Sequence, residues 1–326
     1  NNSFQISSNF ANMNGDAWEQ YMGANASLVS KDNVYGIALY QSYRNRNPYD
    51  VDGDGFSEIG KLNMNTFGLR AYYRPTSFSR LGLEYHTTNE FRRGGNKFDK
   101  EPFEADITEQ TKHVINSGGL TYDLFWKEYK HKLSFYTSAQ HVDRNSYYGA
   151  QQDPNAYGKT KDLTFVDGGM YTGNFEKVLF SPAVFTMGLE YQHNNMHDVM
   201  AGYNRDLKQE VRIASAFVQN EWKMKRFTLL AGFRLDEHNL IDHPIFSPRI
   251  NLLYKPSDAF QGRLTWSTGF RAPQAYDEDL HITAVGGEGV LIHLAEGLKP
   301  EKSNSFSGSV DLSGQIGHFQ TNLLIE

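Results

Sequence analysis

Cysteine is absent from the 326 residues, and proline is scarce at 10. Without thiols the chain builds neither disulfide staples nor thiolate metal sites, although that absence alone identifies no compartment. Long apolar runs are missing as well: nowhere do the roughly 18 apolar residues of a membrane-spanning helix follow one another, and the mean hydropathy is -0.59. This excludes helical spans only, because a transmembrane barrel shows lipid every second side chain and never makes a continuous apolar run. Asn1 opens no signal-peptide pattern. The charge imbalance is slight, at a formal -6, and no basic stripe with interleaved aromatics occurs, so nucleic acid is not an expected partner. What the chain does have is 14% aromatic residues and 29 glycines.

Its apolar residues recur with a period of two from end to end, the signature of strands. In "FGLRAYYRP" Phe67, Leu69, Ala71 and Tyr73 share one face and Gly68, Arg70, Tyr72 and Arg74 the other. The same holds for "VFTMGLEYQH" (Phe185, Met187, Leu189, Tyr191) and "FTLLAGFRLDE" (Phe227, Leu229, Ala231, Phe233, Leu235). About fifteen such segments, of roughly 9 to 15 residues each, match tilted bilayer-crossing strands better than the short strands of soluble sheets. Short turns at 31–33, 76–79, 127–130, 224–226, 257–261 and 314–317 alternate with longer polar loops at 47–62, 93–109, 144–160, 198–207 and 273–300. That rhythm, with Trp18, Tyr21, Trp126, Tyr171, Trp222 and Trp266 near segment ends, is what an antiparallel transmembrane β-barrel shows. A soluble sandwich would have to bury Arg70, Glu84, Glu190, Arg234 and Arg249 in its core; a watery lumen accommodates them.

One loop stands apart. "YDVDGDGFSE" places Asp50, Asp52 and Asp54 at positions one, three and five of an EF-hand-like calcium loop, with Gly55 at six, the Phe56 carbonyl at seven and Glu58 at nine. The bidentate acid of position twelve is missing, since Lys61 stands there, and the flanking segments read as strands. A hard-cation site hung between strands is therefore expected, against the alternative of a solvated turn.

From residue 231 the text reads "AGFRLDEHNLIDHPIFSPRINLLYKPSDAFQGRLTWSTGFRAPQAYDEDL". Its Gly232, Arg234 and Asp236, then Ser247-Pro248-Arg249, Tyr254-Lys255-Pro256 and Gly269-Phe270-Arg271-Ala272-Pro273 with Asp277, Glu278 and Asp279 beyond, closely resemble the barrel of TonB-dependent outer-membrane receptors. The later "GLKPEKSNSF" is similar to that family's entry into the next strand, and the Asp-rich loop resembles Bacteroidetes-type members. The resemblance implies a 22-stranded barrel closed by a plug domain, of which residues 1–326 would be the barrel portion alone, without the N-terminal plug and the C-terminal strands. It further implies import of a bulky scarce nutrient, a corrinoid, haem or ferric chelate, driven by the TonB complex acting on the plug. Membrane lipid surrounds such a barrel, and a surface lipoprotein at the outer mouth is a further expected partner. Under it Arg234, Arg249 and Arg271 are candidates for facing the lumen and plug; the alternative for Arg249 and Arg271 is that they pair with wall acids such as Glu190 or Asp236. His193, His197, Asp277, Glu278 and Asp279 are the candidate ligand contacts of the outer loops. Calcium at Asp50, Asp52, Asp54, Phe56 and Glu58 would order an outer loop, as in cobalamin receptors of this kind. No organic cofactor is expected. The rival reading is a passive porin-like channel.

Other chemistry recedes. His193, Met196, His197 and Met200, or His238 and His243, offer haem ligands only if the loops bring them together. The carboxylate pairs Asp236-Glu237 and Asp277-Glu278-Asp279 have no nucleophile or oxyanion arrangement beside them, so no enzyme is expected. "VGGEG" (285–289) lacks the strand-then-helix setting of a phosphate cradle.

Overall fold

The computed structural model describes residues 2–274, 295–317 and 319–326. Among these the chain forms fifteen strands: β1 (Ser3–Met13), β2 (Ala17–Val29), β3 (Tyr35–Arg46), β4 (Ser57–Thr76), β5 (Ser79–Gly95), β6 (Ile107–Trp126), β7 (His131–Ala150), β8 (Tyr157–Val178), β9 (Ser181–Met200), β10 (Arg205–Lys223), β11 (Phe227–His238), β12 (Ile245–Ser257), β13 (Phe260–Arg271), β14 (Glu301–Ile316) and β15 (Phe319–Ile325). They lie in one sheet in sequence order, each antiparallel to the next. No helix among the described residues is long and apolar enough to cross a membrane; the strands are the elements long enough to do so.

Because directly opposed residues share a face, the register carries the alternation across the whole wall. On β11, Phe233 opposes Pro248 while Gly232 opposes Arg249 and Arg234 opposes Ser247; the β10 pairing sets Phe217 opposite Arg234 and Ser215 opposite Asp236. Register shifts occur only near strand ends, as at Tyr73/Thr76 and Phe175/Val178, so neither face changes sides. The apolar face is bare: Phe306 is 78% exposed, Phe4 70% and Leu189 67%. Each such side chain gains about 1.5–3 kcal/mol when removed from water, and among the described residues no second sheet is there to do it. The largest fully buried side chains, Tyr147, Met196, Met200 and Thr108, all sit at the long-loop end of the wall. A sandwich core is thereby ruled out.

Strands β4–β10 run 17 to 22 residues, longer than the alternation of apolar residues alone indicates. The outer stretches read from sequence as loops at 93–109, 144–160 and 198–207 shrink to 96–106, 151–156 and 201–204. The reason is physical: polarity ends the lipid-facing band, but the backbone ladder continues above it with Asn, Lys, His and Thr side chains. One tight turn, Leu179-Phe180, carries no glycine or proline and escapes sequence reading. At 127–129 three consecutive residues adopt positive φ (47, 56 and 64°), an unusual conformation for side-chain-bearing residues. It places Tyr129 against Phe78 and Phe125, with its hydroxyl donating to the Ser77 carbonyl at 2.6 Å.

Candidate cation loop and polar-face charge network

The loop between β3 and β4 is closed at its base by a two-way bridge, the Tyr49 amide donating to Ile59 at 2.8 Å and the Ile59 amide to Tyr49 at 3.1 Å. Above it the chain curls tightly, with Gly53 at φ 79° and Gly55 at φ 93°, conformations that glycine adopts without penalty. The curl turns backbone amides onto the acids. Asp50 accepts from the Gly53 and Gly55 amides at 2.6 and 2.7 Å, Asp54 from Phe56 at 2.8 Å, and Glu58 from Val51 at 2.6 Å. One oxygen from each of Asp50, Asp52, Asp54 and Glu58 lies within 4.8 Å of all the others.

Four carboxylates at that spacing repel one another by about 1 kcal/mol per pair even in water, and a cation among them converts the repulsion into attraction. The exposed acidic cluster can thus hold a metal ion. Hard oxygen donors suit calcium or magnesium rather than a softer metal. The flanks are strands, as the sequence indicates, but β4 begins at Ser57, so Glu58 is held by the sheet and not by the loop. Lys61, at the twelfth position, lies opposite Arg93 in the β4–β5 ladder.

On the polar face a network joins four strands. Arg234 donates to Asp236 at 2.7 Å, to Glu190 at 2.9 Å and to the Ser215 hydroxyl at 2.6 Å. Tyr136 donates to Glu190 and Ser215 to Asp236, each at 2.6 Å. The two wall acids weighed as partners for Arg249 and Arg271 are thus engaged by Arg234. Arg249 is exposed on the polar face opposite Gly232 and Ser267. Arg271 opposes Glu301, with a guanidinium nitrogen 3.9 Å from its carboxylate.

The remaining candidates separate. His193 and His197 stand in β9 on the apolar-face register, above the hydrophobic side chains, each paired with a β10 carboxylate: His193 with Glu210 at 3.0 Å and His197 with Asp206 at 2.8 Å. Met196 and Met200 point to the opposite face and are buried, so the four side chains do not converge. Asp277, Glu278 and Asp279 lie outside the described residues, as does the 285–289 segment.

Sequence reasoning passed over a second network at the long-loop end. Asp198 (β9) accepts from Arg205 at 2.6 Å, from Thr160 at 2.5 Å and from Arg144 at 3.5 Å; the Asp198 and Arg205 side chains are 3% and 4% exposed. Beside it Tyr203 donates to Asp153 at 2.8 Å. Burial, and then that hydrogen bond, push the Tyr203 hydroxyl up to about 12, while the Asn155 amide and the Tyr203 hydroxyl hold Asp153 below the usual carboxylate value. Only the Asp198/Arg205 hairpin pair is close enough in sequence to be guessed; the other partners are 38 to 54 residues apart.

The wall is similar to solved structures at low sequence identity. These include the siderophore receptor PirA from Acinetobacter baumannii (18% identity, TM-score 0.74, 98% of this chain on 51% of that one) and a ferric enterobactin receptor mutant, PfeA, from Pseudomonas aeruginosa (14%, 0.76, 96% on 51%). The unliganded ferric citrate transporter FecA matches at 12% identity and TM-score 0.65, over 94% of this chain and 48% of that one. At these identities the likeness shows fold, and the chain spans about half the length of each. No curated protein sequence matches it. The family described as "TonB dependent receptor-like, beta-barrel" matches residues 25–323, nearly the whole chain. The protein therefore belongs to the TonB-dependent receptors, as part of their outer-membrane β-barrel.

Proposed function

We propose that the chain forms part of the wall of an active importer for a bulky, scarce nutrient, with a ferric chelate favoured over haem or a corrinoid. The observation that carries the reading is the family match over residues 25–323, joined to a polar face carrying Arg249 and Arg271 beside the Arg234 network. The family is one of outer-membrane transporters and not of enzymes. Relatives of like fold are named for siderophores, ferric enterobactin and ferric citrate, which supports the chelate. In this reading a plug outside the chain rests against Arg249 and Arg271, and TonB draws on it. The wall contributes contacts that differ between the two plug states, as any ligand-driven shift requires. The Asp-rich loop, which favours a Bacteroidetes-type member, binds calcium and orders the outer mouth. His193 and His197, facing outward, serve a lipoprotein partner sooner than a ligand in the bore.

Uptake of ⁵⁵Fe-labelled chelates by cells carrying the intact receptor tests this. Uptake that disappears on deletion of TonB supports the proposal; uptake that survives it indicates the passive channel instead. Unchanged ligand affinity in EDTA removes the calcium element alone.

A further inference from the structure

The polar face is not evenly furnished. Along β4–β7 many of its side chains are short or absent: Gly82 opposes Thr121, and Gly119 opposes Glu84 on one side and Ser138 on the other. They leave a recess of about 700 Å³ that reaches up to Gln140 and Thr164. A second recess, of about 800 Å³, opens at the short-turn rim between Asp32, Arg74, Tyr129 and Lys132. Arg80 and Asp123 line both, so the two form one groove. From Lys132 to Gln140 it follows β7 for about 26 Å, at roughly 3.3 Å per residue, which crosses most of the lipid-facing band. On β9–β11 the same face is filled instead. Phe217 lies across Gly188, 2.5 Å from where a Cβ would stand, and Arg234 spans Glu190 and Asp236.

Most charged groups in the groove satisfy one another. Arg70 meets Glu84 at 2.9 Å, Asp123 holds Lys132 at 2.9 Å and accepts from Ser134 at 2.7 Å, and His86 pairs with the Tyr40 hydroxyl. Two groups do not. Arg74 and Arg80 both lie over the Tyr72 ring, 5.5 and 5.1 Å from its centroid, and neither guanidinium has a hydrogen-bond or ion-pair partner among the described residues. The ring face holds a cation in place but leaves its N–H donors unused. Two like charges on one ring also sum to a local positive potential. An anion at the junction of the two recesses is the group that satisfies both arginines. Below them the opening has a fixed sill, because the Tyr129 hydroxyl ties its own turn to Ser77 of the neighbouring one at 2.6 Å.

We propose that this groove is the track along which an anionic cargo passes the wall, with Arg74 and Arg80 as the cation step at its short-turn end. The inference rests on the import reading and narrows it to anionic cargo and to one sector of the wall. Small residues and self-paired charges higher in the groove offer contacts without a deep trap, as transit requires. The unpaired arginines then draw an anion onward. A plug segment seated on the same two arginines would leave a leak when they are removed, whereas a cation step leaves a slower importer.

The test uses cells carrying the intact receptor and two anionic probes, the ⁵⁵Fe complexes of a tris-catecholate and of citrate. Surface binding is measured without energy and uptake with it. Clefts lined by one sign of charge speed the delivery of opposite charge by at least about tenfold. Arg74→Gln with Arg80→Gln should therefore slow TonB-dependent uptake about tenfold at saturating chelate and leave surface affinity within about twofold, which also reports a folded receptor. Arg74→Lys with Arg80→Lys should keep most of the rate. Arg263→Gln, on the polar-face register of β13 opposite Ser309, should not change it. Uptake unchanged in the double Gln variant overturns the proposal, as do equal slowing by Arg263→Gln, a matching loss of surface affinity, or a TonB-independent leak. Those outcomes remove this inference alone. An unmodified receptor that takes up neither chelate, or takes them up without TonB, removes the import reading and this inference with it.

Discussion

The two rims of this wall are made by the same strands and solve different problems. At the short-turn rim the contacts are rings on neighbouring strands. Trp126 stacks on His131 at 5.4 Å and Tyr171 at 5.9 Å, Phe180 on Trp222 at 5.6 Å, and Phe227 on Tyr254 at 4.7 Å. At the long-loop rim they are buried ions and tethered loops, with Asp198 gathering Arg144, Thr160 and Arg205 from three other strands. Rings with one wet edge suit a rim that only anchors a wall in a bilayer. Charge networks that hold strands far above the bilayer suit a rim that must present shaped loops. Polar specificity is therefore concentrated where the strands outrun the membrane.

Breaking the charged rim should cost most. Asp198→Ala leaves the buried Arg205 and the half-buried Arg144 without their shared acceptor, a loss of about 3–5 kcal/mol. Thermal unfolding of the intact receptor should register it, together with new proteolytic cleavage at 201–204 that leaves the short turns intact. At the other rim Trp222→Ala removes the Phe180 stack and the indole hydrogen bond to the Val178 carbonyl at 3.0 Å. About 2 kcal/mol is expected, since stacking and a neutral hydrogen bond contribute roughly 1 kcal/mol each.

A smaller effect sharpens the contrast within the outer rim. Asp52→Asn removes one of four converging charges and should weaken calcium binding about tenfold in a terbium-displacement titration, whereas Asp32→Asn in a short turn should not change it. The smallest effect is acid loosening. Lys97, then Asn96, hold Asp106 below its ordinary value, and Asp153 is depressed by Asn155 and Tyr203. A depressed folded pKa means stabilisation present in full above about pH 4 and lost as pH falls below it. Limited proteolysis at pH 3 should therefore open 96–106 and 151–156 first, while the Phe227–Tyr254 stack keeps its near-ultraviolet signal.

The fold was largely legible because one variable, which face meets lipid, repeats every second residue. Phe227, Leu229, Ala231, Phe233 and Leu235 announce both strand and orientation, and the order β1 to β15 needs only consecutive pairing. Strand ends were not legible: above the lipid the ladder is kept by backbone hydrogen bonds that Asn145, Lys159 or Asn195 do not advertise. The Asp50–Glu58 cluster could be read because its acids are local. Glu190 with Arg234, 44 residues apart, could be placed on one face but not paired, since pairing depends on a register accumulated over two hairpins. His193 and His197 show the limit from the other side, because their polarity suggests a mouth-facing loop while parity turns them outward.

Because these 326 residues carry no cysteine, a label placed in this wall makes the central claim directly measurable. Single cysteines placed at 227 to 236 of β11 in the lipid-reconstituted receptor, each carrying a nitroxide, report collisions with oxygen and with a water-soluble nickel chelate. Oxygen accessibility should peak at positions 229, 231, 233 and 235 and fall at 230, 232 and 234. An accessibility profile without that period of two, or nickel access to 231 and 233, would contradict a wall with hydrocarbon on one side and water on the other.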